Sequence, residues 1–82
     1  MRIDILGPGC DRCDALHERV TAAVAELGLS AEVGRVQGLR ELAERGVASI
    51  PALAIDGDIK VMGALLTVAQ LKRILSGAAG NS

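Results

Sequence analysis

Three features of this 82-residue chain predict an α/β fold, with helices packed on a four-stranded mixed sheet. Short β-branched runs alternate with segments of helical period. The pair Asp56-Gly57 joins two of those runs and suits a type I′ hairpin turn. A Gly7-Pro8-Gly9 break separates the first run from the first helical segment.

Arg2 to Leu6 reads as the first strand. After the break, Cys13, Leu16, Val20, Ala23, Val24 and Leu27 recur at spacings of three and four, one face of a helix that starts at Cys10 and that Gly28 caps. Ala31 to Val36 is the second strand, weakened by Gly34. Leu39 to Arg45 is a short helix with Leu39, Leu42 and Ala43 inward. Ala52 to Ile55 and Asp58 to Met62 are the hairpin strands. Thr67 and Gln70 match a capping box for the last helix, with Leu66 and Leu71 as its hydrophobic staple. That helix is expected to end near Ser76. The order is β-α-β-α-β-β-α, in which the first strand–helix–strand unit implies a parallel crossover. One domain spans residues 1–76, followed by a flexible tail at 77–82.

Composition excludes several function classes. The chain is 50% hydrophobic and 23% charged, which fits a folded globule. It has no Phe, Tyr or Trp, so it has no platform for stacking bases. Nine basic and ten acidic residues leave a net charge of −1, against a phosphate-tracking surface. The uncharged stretch from Val61 to Gln70 is too short to span a bilayer, and the N-terminus lacks the apolar run of a secretory signal. A cytoplasmic monomer without nucleic-acid or membrane partners is expected.

Cys10 and Cys13 carry the chemistry. A disulfide closing so short a loop stabilises a fold by only about 2 kcal/mol, so the pair is no structural staple. In a chain without export signals it points to redox chemistry or metal ligation. A thiol at the start of a helix meets free N–H groups and partial positive charge, both favouring thiolate. Cys10 is therefore read as the nucleophile and Cys13, one turn on and inward, as the resolving thiol. Arg12 supports the thiolate, whereas Asp11 and Asp14 oppose it.

A strand, G-P-G-C-D-R-C, a helix and a distant S-I-P before a hairpin resemble the thioredoxin/glutaredoxin superfamily. The chain is most similar to its small thioredoxin-like, redox-active disulfide proteins of bacteria and archaea, over about residues 1–76. The resemblance implies a minimal thioredoxin-like fold and a cis Ile50-Pro51 bond facing the sulfurs, an isomer found in only about 5–6% of X–Pro bonds. It implies that Ile50, Pro51 and Gly63 line the substrate site. Asp4, six residues before Cys10, has the offset of thioredoxin's proton-transfer aspartate. Two departures stand out: Gly9 replaces the tryptophan that precedes the first cysteine, and Met62-Gly63-Ala64-Leu65 lacks the carboxylate with which glutaredoxins hold glutathione.

The expected function is a thiol–disulfide oxidoreductase that acts on protein disulfides, carries no cofactor or metal, and is recharged by a reductase or a low-molecular-weight thiol. The alternative is a soft-metal-binding module or metallochaperone using the same cysteines. Heavy-metal-associated domains, however, run β-α-β-β-α-β and place Met where this chain has Pro8. His17 is assigned to a solvated or partly packed position, and Arg35, Arg40 and Arg45 to solvated faces without an anion site.

Overall fold

Alternation along the first strand sorts the sheet into two faces. In a computed structural model that describes residues 1–9 and 11–80, β1 (Arg2–Leu6) sends Ile3 and Ile5 to one core and Leu6 to another. The remaining elements are α1 (Asp11–Leu27), β2 (Glu32–Val36), α2 (Leu39–Glu44), β3 (Ala52–Ile55), β4 (Asp58–Met62) and α3 (Val68–Gly80). The strands lie in the order β2-β1-β3-β4. β1 and β2 are parallel, as the crossover requires, and β3 is antiparallel to both β1 and β4.

The larger core lies between the sheet and the paired helices α1 and α3. Ile3, Ile5, Leu53 and Ile55 from the strands meet Leu16, Val20 and Ala23 of α1 and Leu71 and Leu75 of α3. The opposite face holds Leu6, Val36, Ala52 and Ala54 under Leu42 of α2. The sheet is thus a middle layer, and both faces of its central strands are buried.

Local sequence sets the ends of these elements. Gly28 takes φ 65° after α1; its N–H donates to the Ala25 carbonyl at 3.2 Å and that of Leu29 to Val24 at 3.1 Å, a Schellman close. At the start of α3, the Thr67 N–H donates to Gln70 Oε1 (2.9 Å) and the Gln70 N–H to Thr67 Oγ1 (3.1 Å). Asp56 and Gly57 both have positive φ, 51° and 88°, as a type I′ turn demands. A register shift between Leu53 and Ala54 then interrupts the β3–β4 ladder.

Two expectations need correction. Of the three residues assigned to the inward face of α2, only Leu42 is buried; Leu39 is 73% exposed and Ala43 is exposed too. A six-residue helix offers the sheet a single point of contact. And α3 does not stop near Ser76 but continues to Gly80. Residues 81–82 of the expected tail lie outside the described residues.

Candidate active site

The strand directions gather four segments at one end of the sheet. The C-terminal ends of β1, β2 and β4 and the N-terminal end of β3 all lie there. The Gly7–Gly9 turn, the start of α1, the Ile50–Pro51 segment and Gly63 adjoin those ends. Cys10, the expected nucleophile, lies outside the described residues; in the chain it directly precedes Asp11, the first residue of α1.

Cys13 is fully buried on the inward side of the first turn of α1. Its sulfur fills the space where a side chain on Gly7 would stand, since a Cβ built there would overlap Sγ. The same Cβ would sit 3.8 Å from Ile50 Cβ, so the Cys13 sulfur and the Ile50 side chain both approach Gly7. The Ile50–Pro51 peptide is cis, with Pro51 buried and Ile50 38% exposed.

Gly63 ties this corner together. Its φ of 74° favours glycine, and a Cβ there would stand 2.9 Å from Ser49 Cβ, closer than side-chain atoms pack. Its N–H donates to the Pro51 carbonyl at 2.9 Å. Its own carbonyl accepts from Arg12 Nη2 at 3.3 Å, which links the start of α1 to the loop after β4. The exposed large hydrophobic residues, Leu39, Ile50 and Met62, all belong to segments at this end of the sheet.

The charges are arranged differently from the sequence expectation. Asp4 is buried, but it lies on the α2 face of β1, away from Cys13, because Ile3 and Ile5 on either side of it enter the α1 core. Its Oδ1 pairs with Arg2 Nη2 at 3.1 Å. Gly34, its partner in β2, leaves the space this pair fills. Asp4 is therefore an ion-pair residue on the sheet face opposite Cys13, and the geometry gives no support to the proton-transfer role that its offset from Cys10 suggested. The hydrogen bond that Arg2 donates to Asp4, followed by the charge of Asp4 and by Glu32, pushes the Arg2 guanidinium further above its usual range.

Arg35, assigned by sequence to a solvated face, is 22% exposed and pairs through Nη1 with Asp14 at 2.8 Å. Its Nε and Nη2 are buried and, among the described residues, have no hydrogen-bond partner. Leaving such donors unsatisfied costs about 1–3 kcal/mol, whereas an ion pair with a half-exposed carboxylate contributes at most about 1 kcal/mol. One signal was available in the sequence: strand alternation puts Arg35 on the same face as Val33, the face that meets α1. Arg40 and Arg45 do sit on an exposed helix, paired with Glu44 and Glu41. His17 is half-buried in α1.

A shallow groove of about 450 Å³ opens among Met1, Arg2, Ser30, Ala31, Glu32 and Asp56, at the opposite end of the sheet, and shares no residue with this corner. Among the described residues, no helix is long and apolar enough to cross a membrane.

Comparison with known proteins bears on the same chain length as the fold. A thioredoxin of Methanothermobacter thermautotrophicus is 38% identical over 76 residues, covering 93% of this chain and 99% of its own. A thioredoxin of Methanocaldococcus jannaschii is 38% identical over 73 residues, covering 89% of this chain and 84% of its own. The sequence profile of the thioredoxin domain family matches residues 1–76, from the start of β1 into α3. With the four-stranded mixed sheet and three helices, these matches establish that the chain belongs to the thioredoxin domain family, a family of thiol–disulfide oxidoreductases.

Proposed function

We propose that the chain transfers electrons to protein disulfides through Cys10 and Cys13. The observation that carries this reading is the seat of Cys13: fully buried in the first turn of α1 against Gly7, the residue that Ile50 also approaches. A sulfur so placed is shielded from outside reagents, and it follows Cys10 by three residues in the chain.

In the first step the Cys10 thiolate attacks a substrate disulfide. A bond forms between the two sulfurs, the substrate S–S bond breaks, and the departing sulfur leaves as a thiolate that takes up a proton. In the second step the Cys13 thiolate attacks Cys10 Sγ. The Cys10–Cys13 disulfide forms, the mixed disulfide breaks, and the second substrate thiol is released. The substrate gains two electrons and the protein loses two, so the electrons reside in the sulfur pair itself. A reductase or a low-molecular-weight thiol restores the dithiol.

The half-exposed Ile50 offers an apolar contact for the substrate chain, with Pro51 and Gly63 shaping the groove floor. The free N–H groups at the start of α1 favour the thiolate of the residue that precedes it. The chain works as a cytoplasmic monomer in this reading.

The test is a protein-disulfide reduction assay. Cys10→Ser is expected to abolish exchange, and Cys13→Ser to accumulate a covalent adduct with substrate, visible on non-reducing gels. Wild-type turnover by either variant overturns the proposal.

A further inference from the structure

We propose that Arg35 is a positioning residue for the reactive sulfur pair, acting through Asp14. Held on the α1 side of β2, it cancels the negative charge of Asp14 in the first helical turn and so preserves the thiolate. The inference deepens the function proposed above and rests on it.

The first observation is that the guanidinium is ill suited to its place. Arg35 pairs in register with Ile5, whose side chain is fully buried in the α1 core, and Val33 occupies the same face two residues earlier. An apolar side chain would continue that row. Among the described residues, Arg35 instead buries Nε and Nη2 without partners and makes one ion pair, from Nη1 to Asp14. The apolar row does not call for a guanidinium, and the charge of Arg35 is directed to Asp14 of α1.

The second observation is what that charge faces. Asp14 follows Cys13 in the chain and stands four residues after Cys10, in the first turn of α1. A carboxylate suits a helix start but disfavours a neighbouring thiolate. The other ionisable groups of this part of α1 are Asp11, Arg12 and His17, and Arg12 is directed to the Gly63 carbonyl. The segments at 47–55 and 61–70, which bring Ile50, Pro51 and Gly63 to the site, carry no charged residue. Asp4 lies on the opposite sheet face with Arg2, and Arg40 and Arg45 are paired within the α2 region. Among the described residues, Arg35 is the cation paired with Asp14.

The experiment measures the rate of thiol alkylation against pH, on the reduced full chain, for wild type, Arg35→Met, Asp14→Asn, the double variant and Arg35→Lys. Removing Arg35 leaves Asp14 uncompensated, so the Arg35→Met profile moves to higher pH and the thiolate fraction below its midpoint falls about threefold. Removing Asp14 leaves Arg35 uncompensated, so Asp14→Asn moves to lower pH by a similar factor. The double variant and Arg35→Lys fall close to wild type. Arg35→Met also melts at or above the wild-type temperature, because the unsatisfied donors are gone. Profiles that coincide, or that move in the same direction in both single variants, overturn the inference. Asp14→Asn alters an exposed side chain and keeps the test open should Arg35→Met fail to fold. If wild type itself shows no disulfide exchange, the proposed function fails and this inference with it. If wild type exchanges normally but the two single variants do not separate, only the role of Arg35 is lost.

Discussion

At the scale of single residues, the site depends on two glycines that make room rather than contacts. Gly7 admits the Cys13 sulfur, and Gly63 admits Ser49 while its backbone bonds to Pro51 and Arg12. Gly7→Ala is expected to lower stability by about 1–3 kcal/mol through overpacking, read as a lower urea midpoint at unchanged slope. An unchanged midpoint would mean that the sulfur has space to spare. The close backbone approach at Gly63 was legible in the sequence, because a glycine in that place carries the signal. The sheet faces of Asp4 and Arg35 follow from strand alternation, but their ion-pair partners were not legible, for a shared physical reason. Where each side chain ends up depends on the strand beside it: Gly34 makes space for the Arg2–Asp4 pair, and α1 presents Asp14 to Arg35. Such cross-strand and helix–strand partners are set by tertiary pairing, which local pattern does not encode.

At the scale of elements, the ends were more legible than the short middle. The Thr67–Gln70 box, the Gly28 cap and the Asp56-Gly57 turn each hold in the structure, because each is a bargain between neighbours in the chain. Thr67→Ala removes the side-chain acceptor at the start of α3 and is expected to cost about 1 kcal/mol, measured by chemical denaturation. A loss below a few tenths would show that packing of Leu71 and Leu75 alone fixes this helix. α2 was misread in orientation because six residues give too little periodicity to define a face. The end of α3 was misplaced because Gly77 resembles a terminator, whereas the helix continues through it to Gly80.

At the scale of the whole molecule, the fold is an aliphatic sheet whose central strands are buried on both faces, with no aromatic residue to add area. So small a domain has little stability in reserve, on the order of 5 kcal/mol. Leu53 lies fully buried beneath α1 and α3, in the central strand β3. Leu53→Ala is expected to cost about 2–5 kcal/mol and to leave a large unfolded fraction at room temperature, seen as lost far-ultraviolet circular dichroism. Retention of a cooperative, wild-type-like melt would show that the core is not shared across the sheet in the way described. The exposed pairs Arg40–Glu44 and Arg45–Glu41 contribute little by comparison.

The central claim is that Cys10 and Cys13 form one redox couple. Equilibration of the intact chain in dithiol buffers of graded potential, followed by alkylation and mass measurement, tests it most directly. The expected result is a single two-electron transition between a doubly alkylated and an unalkylated species. A chain that stays doubly alkylated under every oxidising condition, or whose two cysteines oxidise independently, would contradict the account.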